Sequence, residues 1–270
     1  ATNIRIMGII LFLLFFIFLL LDCLENKNLF RKNIFRILFL LFSFPIFVYL
    51  FWPFLWNAPI DNFLFTIKSS ANFKSFPGQG ILYLGSYYDA SNLPWHYIPV
   101  WILITTPMIL ILFFLSGLII TSTFLFQKIL NLSEKNKLWN TSNEKKDFFM
   151  LLFFLIPIFL VILLNSTLYG GWRHLYFIYP CLVYLSAIGF FYVLRNNTFN
   201  KFKNIFYILI FFLLVNNIYN CVRFHPFQNV YFNYLFEKKA NNLFEIDFWG
   251  LGNIKALEYL AKEKYKGEKI

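Results

Sequence analysis

Long apolar runs separated by short polar connections set the pattern of this chain. The runs cover residues 4–21, 37–56, 98–126, 148–168, 175–194 and 205–221, and each is 17 to 29 residues long. At a helical rise of about 1.5 Å per residue, such segments cross a hydrocarbon layer of ~30 Å. The pattern therefore predicts an all-α polytopic membrane protein with about six transmembrane helices. It also predicts one large loop over 57–97 and a C-terminal segment over 222–270 outside the membrane. The 29-residue run is long enough to be tilted or kinked at Pro107, and Pro45, Pro157 and Pro180 are expected to bend other spans.

Composition supports lipid as the solvent: 59% of residues are hydrophobic and only 14% charged, with 39 Phe and 16 Tyr. An ordinary soluble domain is excluded. The net charge of +11 would suggest nucleic acid in a soluble protein, but here the basic residues punctuate apolar spans, so it speaks for orientation and against a nucleic-acid partner. The connections 22–36, 127–147 and 195–204 carry four, five and three Lys or Arg. The 57–97 loop holds only Lys68 and Lys74, and the short turn between the fourth and fifth spans only Arg173. Loop 57–97, the turn around Arg173 and residues 222–270 are thus expected on the outer side.

The first run is too long for a signal peptide and lacks a small-residue cleavage pattern, so it reads as a span. A chain that begins at Ala1 with an inward-running span, and ends in the amphipathic pattern Ile254, Leu257, Leu260, Ala261, reads as an internal piece of a larger protein. Cys23, Cys181 and Cys221 have no CxxC spacing, which supports neither a disulfide framework nor a zinc site. The sequons at Asn131, Asn140 and Asn196 fall on the cytoplasmic side and Asn165 within a span, so none reads as a glycan site.

No acid is expected inside a span: Asp22, Glu25, Glu134, Glu144 and Asp147 face the cytoplasm, Asp61 and Asp89 lie in the outer loop, and six lie in the tail. That weakens a coupled transporter, which generally needs buried ionisable groups near mid-membrane. All three histidines, His96, His174 and His225, fall on the outer side without metal-ligand spacing, so no metal site is assigned.

Two outer stretches carry candidate chemistry. The first is "YLGSYYDASNLPWHYIPVWILITTP" over 83–107, in which Trp95, Tyr97 and Trp101 also fit an aromatic belt at the headgroup level. The second is "YGGWRHLYFIYP" over 169–180, where Gly170 and Gly171 give a tight turn and Trp172 and Arg173 fit interfacial anchors. Arg173 also offers a planar fork of donors suited to phosphate, and His174 a second donor beside it, enough to hold a lipid-linked phosphate. The tail opens on "RFHPFQNVYFN" over 223–233, whose alternating aromatic and polar residues fit an extended segment leaving the membrane.

In their order, the Pro-Trp-His-Tyr turn at the head of a span, the "GGWRH" turn between two spans, and "HPFQNVYFN" followed by "DFWG" together resemble bacterial membrane glycosyltransferases of the GT-C class. The likeness is to the protein O-mannosyltransferase-like and aminoarabinose-transferase-like branch, and covers roughly residues 80–250. It implies transfer of a sugar, with inversion, from a polyprenyl-phosphate carrier to a lipid, glycan or protein acceptor on the outer face of the bacterial inner (plasma) membrane. It implies that the Asp89–Tyr97 turn helps cover the sugar and acceptor cavity, with Asp89 and His96 as catalytic contributors and Trp95 and Tyr97 as substrate-binding residues. Arg173 with His174 would approach the carrier phosphate. The acid that usually serves as base in the family has no match in this chain, which places the main catalytic carboxylate upstream of it. The resemblance assigns no cofactor, and a divalent metal is compatible with the chemistry. Two rival readings are a transporter or lipid flippase, and a non-enzymatic membrane scaffold in which the outer aromatics and Arg173 are only anchors.

Overall fold

In a computed structural model, residues 8–25, 27–71, 80–131, 139–195, 203–247 and 250–264 are described. The chain is mostly helical. Helices α1 (Ile9–Glu25) and α2 (Lys27–Leu50) are followed by α3 (Pro59–Ala71) and a hairpin of β1 (Ile81–Tyr83) and β2 (Ser86–Tyr88). Then come α4 (Tyr97–Thr105), α5 (Met108–Leu130), α6 (Ser142–Leu163), a 3-10 helix over Arg173–Ile178 that leads into α7 (Tyr179–Arg195), and α8 (Lys203–Arg223). The tail carries two short helices, α9 (Ala240–Leu243) and α10 (Asn253–Tyr259).

Five stretches are long and apolar enough to cross a membrane among the described residues: Asn33–Leu50, Met108–Leu130, Ser142–Leu163, Arg173–Arg195 and Asn204–Arg223. The span expected over 4–21 is a shorter apolar helix, Ile9–Cys23, and residues 4–7 lie outside the described residues. Side chains such as Phe39, Leu163 and Phe212 stand exposed around the bundle, as lipid-facing residues must. Helix α8 is the extreme case, with none of its span buried against the protein.

Several expected boundaries move. Proline 107 does more than kink the third span: α4 stops at Thr105 and α5 starts at Met108, because proline has no N–H and its ring excludes the carbonyl four residues back. Pro180 bends nothing, since it sits in the first turn of α7, where its missing N–H has no intrahelical partner to lose. Asn165 lies just past the end of α6 and not within the span. Its backbone is left-handed at φ 44°, and the Ser166 N–H reaches back to the Val161 carbonyl at 3.1 Å, a helix stop that asparagine tolerates. Asp147 lies in the second turn of α6, which begins before the expected span, and the Tyr184 hydroxyl of α7 donates to it at 2.7 Å.

The bundle is held at its centre by α5 and α7, which meet backbone to backbone at Gly117 and Gly189. Beside this crossing Ser186 donates to the Leu110 carbonyl of the facing helix at 3.0 Å while also bonding Leu182 in its own helix at 2.8 Å. Small residues at such crossings let two helices approach closely enough for dispersion to hold them in lipid, where no hydrophobic force separates helix from solvent.

One end of the bundle is tied by a polar network. The Asp22 carboxylate at the end of α1 accepts from the Trp139 indole N–H at 3.1 Å and pairs with Lys145 of α6. Trp139 in turn stacks on Phe18 with ring centroids 5.3 Å apart. Thr141 caps α6 by accepting from the Glu144 N–H at 3.2 Å.

The opposite end is closed by the hairpin and the tail. The two hairpin strands join through Leu84 and Gly85, both at positive φ (51° and 82°), the geometry that matches a two-residue turn to the twist of its strands. The tail then adds to the hairpin: Glu245 N–H donates to the Leu82 carbonyl at 3.1 Å, Gly85 N–H to the Leu243 carbonyl at 3.0 Å, and Phe244 bridges Tyr83. The stretch 223–233 is not extended throughout. It holds turns and a 3-10 turn over Gln228–Val230, because the Gln228 amide bonds back to the His225 ring at 3.0 Å. The expected amphipathic helix at the C-terminus forms, but Ile254, Leu257 and Leu260 are all exposed.

Asp247 organises the last turn before α10. Its carboxylate accepts from the N–H groups of Leu251 at 3.0 Å and Gly252 at 2.6 Å and from the Asn229 amide at 3.0 Å, and these bonds, Gly252 first, hold it below the usual carboxylate range. A lowered carboxylate stabilises its turn above the ordinary pKa and loses that contribution as pH falls through the lowered one. Hydrogen exchange at the Leu251 and Gly252 amides is therefore expected to stay slow through mildly acid pH and to speed up only in strong acid. In Asp247→Ala it is expected to be fast already at neutral pH; equal protection in that variant overturns the assignment.

Candidate functional site

Every candidate stretch from the sequence meets at the hairpin end. Leu168 N–H, just before the glycine turn, donates to the Ala90 carbonyl just after the hairpin at 3.1 Å. Gly170 and Gly171 take positive φ, 63° and 69°, where a side chain would be strained. A Cβ at Gly171 would also press on the Trp101 ring at 3.3 Å. The turn therefore lies flat against α4, and the Trp172 indole N–H reaches the Thr105 hydroxyl at 2.9 Å, which passes its own proton to the Trp101 carbonyl at 2.6 Å.

Under this turn sits an aromatic core made of Tyr83, Tyr97, Trp101, Phe232 and Phe244, from four separate stretches of chain. Ring centroids are 5.0 Å apart for Tyr83 and Tyr97, 5.5 Å for Trp101 and Phe244, and 5.8 Å for Trp101 and Phe232. Each such pair is worth ~0.5–1.5 kcal/mol beyond burial. Tyr97, Trp101 and Trp172 are 1%, 6% and 4% exposed, so they are core residues and not the interfacial belt and anchor that their composition suggests.

The broken carbonyls of the third span are met from the tail. Asn233 is 1% exposed; its N–H donates to the Ile104 carbonyl at 2.8 Å, and its side-chain amide donates to the carbonyls of Leu103 at 2.6 Å and Thr106 at 3.3 Å. Leu103 is the residue four back from Pro107, whose carbonyl proline leaves without a helical partner. One buried asparagine thus completes the break and seats the tail.

Arg173 and His174 both project from the start of the 3-10 helix and are half-buried. The guanidinium lies over the Tyr169 ring at 4.4 Å, and the His174 ring meets the same tyrosine edge-on at 4.7 Å. Glu245 of the tail feels the Arg173 charge: burial pushes its carboxyl above the usual carboxylate range, and the arginine draws it part of the way back. His96 precedes α4 and shares a hydrogen bond of 2.6 Å with the Tyr83 hydroxyl. Burial raises the pKa of that hydroxyl, with Tyr88 adding to it, so Tyr83 stays protonated and fixes the imidazole in place.

Asp89 is exposed, its backbone carbonyl taken by the Asn92 N–H at 2.9 Å, and Trp95 is 69% exposed. Tyr97 and Trp95 line a small cavity of about 60 Å³ together with Asn165 and Ser166 at the end of α6. The larger depression, about 390 Å³, opens on the other side of the hairpin between Gly80, Tyr87, Asn241 and Glu245. Among the described residues no group of three or more His, Cys, Asp or Glu is placed to hold a metal ion. The "DFWG" stretch is only partly described, since Phe248 and Trp249 lie outside the described residues.

Neither Glu245 nor Asn233 stood out in the sequence. Both sit in a tail whose acids and asparagines have no spacing that sets one apart; only the contacts of the tail with α4 and the hairpin single them out. No family model, no curated protein and no solved structure matches this chain.

Proposed function

We propose that this chain belongs to a glycosyltransferase that moves a sugar from a polyprenyl-phosphate carrier to an acceptor at the outer face of the bacterial plasma membrane. The observation that carries the proposal is the setting of Arg173. A guanidinium stands half-buried at the head of an apolar span, braced on Tyr169, beside His174, with its charge felt by Glu245 of the tail. A carrier phosphate at the bilayer surface is the natural partner for such a fork, since charge-assisted bonds to phosphate strengthen where water is excluded.

The chemistry follows from that placement. As the bond from the anomeric carbon to the carrier oxygen breaks, its electron pair stays on the phosphate, and negative charge grows there. A fixed Arg173 stabilises that charge more in the transition state than in the ground state, which is what accelerates the step. His174 donates beside it. His96, oriented by Tyr83, and Asp89 stand on the loop that leads into α4, and Trp95 and Tyr97 shape the small cavity beneath that loop.

The test is turnover of polyprenyl-phosphate-linked sugar by the purified protein in lipid vesicles. Arg173→Ala is expected to lower turnover ~10²–10³-fold, the usual cost of losing one donor to a developing anion. Arg173→Lys is expected to lower it at least ~10-fold, because it keeps the charge and loses the fork. Unchanged turnover in both variants sinks the phosphate role, and a harmless lysine alone favours a mere anchor. Intact carrier appearing in the opposite leaflet without loss of its sugar would identify a flippase.

A further inference from the structure

The depression beside the hairpin is separate from the Arg173 side of the site yet shares one residue with it. Its volume is about 390 Å³, within the range of small-molecule sites. Tyr87 forms a wall and is 75% exposed, and it packs on Gly80, where an added Cβ would meet the tyrosine Cβ at 3.1 Å and the ring edge at 3.2 Å. The Asn241 side chain is exposed on the facing segment, and Phe244 closes the floor. Glu245 is the shared residue: it lines the depression while one of its oxygens is buried, and it feels the Arg173 charge.

We infer that this depression binds a neutral, hydroxyl-bearing sugar ring, and that the ring belongs to the acceptor. Three observations select that class. An exposed tyrosine presents an apolar face to the C–H side of a sugar ring, with its hydroxyl at the rim. A carboxylate and a primary amide accept and donate in the pattern that adjacent hydroxyls require, and bonds to the ionised group are the stronger ones. The charge balance excludes the alternatives. Glu245 repels an anion, and Arg173 already offsets its negative charge, so a cation gains little there.

The assignment to the acceptor rests on the glycosyltransferase reading. Glu245 lines the depression and feels the Arg173 charge, so a hydroxyl bound to Glu245 lies near the guanidinium that would hold the carrier phosphate. An inverting transfer needs the acceptor hydroxyl close to the carrier phosphate but not on it, and a depression lined by Glu245 but not by Arg173 meets that need.

The experiment uses the full chain in nanodiscs and saturation-transfer NMR with a panel of free glucose, mannose, galactose and N-acetylglucosamine. At least one saccharide is expected to show saturation transfer, and Glu245→Gln and Tyr87→Ala are each expected to weaken its binding about tenfold, the usual scale for losing a charge-assisted bond or a ring contact. Tyr87 is exposed and Glu245→Gln keeps the side-chain volume, so melting temperatures should match the unsubstituted protein. Absence of binding across the panel overturns the proposal, as does binding that neither variant changes. A second arm adds polyprenyl-phosphate-linked sugar to the same nanodiscs. Saccharide signals that persist support the acceptor assignment, and signals displaced by the carrier overturn it in favour of the donor's sugar. Loss of the transferase reading shows separately, as carrier-linked sugar that is never turned over while free saccharide still binds.

Discussion

Gly189→Val is expected to yield no stably folded protein, and Gly117→Ala and Gly189→Ala to melt far below the unsubstituted chain. The reason is geometric. A Cβ at Gly117 falls inside 3.0 Å of the Leu185 carbonyl on α7, and one at Gly189 falls inside 3.0 Å of the Phe113 carbonyl, the Ser116 hydroxyl and the Gly117 N–H on α5. The colliding atoms are mostly backbone, so no rotamer change relieves them and the helices must separate. Overpacking a core costs ~1–3 kcal/mol where side chains can yield, and a backbone collision belongs at or above the top of that range. Separation also strains the bond from Ser186 to the Leu110 carbonyl, the polar tie across the same seam.

Thermal unfolding in detergent, followed by tryptophan fluorescence, reads the effect. Leu112→Ala supplies the comparison, because Leu112 lies on α5 but is 56% exposed toward lipid. If Gly117→Ala melts with Leu112→Ala instead of well below it, the close crossing of α5 and α7 is wrong.

The second large effect is expected at Asn233. Asn233→Asp keeps the volume of the side chain and removes its donors, placing a carboxylate against the carbonyl oxygens of Leu103 and Thr106. Each buried carbonyl left without a partner costs ~1–3 kcal/mol, and an unpaired buried charge costs more. Asn233→Asp is therefore expected to be worse than Asn233→Ala, the reverse of the order that volume alone would give. Limited proteolysis should show the tail from Phe232 to Phe244 released in the aspartate variant while the spanning helices stay protected. Tail cleavage no faster than in the unsubstituted protein would show that the asparagine is not what seats it.

These two sites differ in how far sequence reasoning reaches. Gly117 and Gly189 are visible as small residues in apolar runs, but a glycine in a membrane helix has many uses, and which pair touches depends on the rotation of α5 against α7. Pro107 is visible too, and its local consequence follows from covalent geometry alone. What answers it does not: the Leu103 carbonyl needs a donor, and nothing in the local sequence says that Asn233 supplies it. Glu245 is a sharper case. Six acids lie in the tail, and burial next to Arg173 distinguishes one of them.

Sequence reasoning also leaves side-chain settings near span ends undecided, for a physical reason. A polarity count puts Asp147 in a connection because it follows Lys145 and Lys146. The helix begins at Ser142, set by the Thr141 cap, and a tyrosine from α7 provides the hydrogen bond that lets the carboxyl sit inside it. Trp101 and Trp172 fail in the opposite direction: their amphipathic rings suit an interface, yet each is covered because the glycine turn lies flat on α4.

The sequence by itself determined that this chain is helical and embedded in a membrane, about where most of its spans lie, and that its third span is disturbed at Pro107, as a kink or tilt. Those properties are local. Lipid cannot hydrogen-bond a bare backbone, so a long apolar run must satisfy its own carbonyls as a helix wherever it occurs. Only the tertiary structure decided that the hairpin, the glycine turn and the tail close over one end of the bundle, with the Arg173 charge felt by Glu245 and Asn233 completing the broken helix. Such contacts join residues far apart in the chain, and they depend on how the spans rotate and cross, which hydrophobic periodicity leaves undetermined once every face of a helix is apolar.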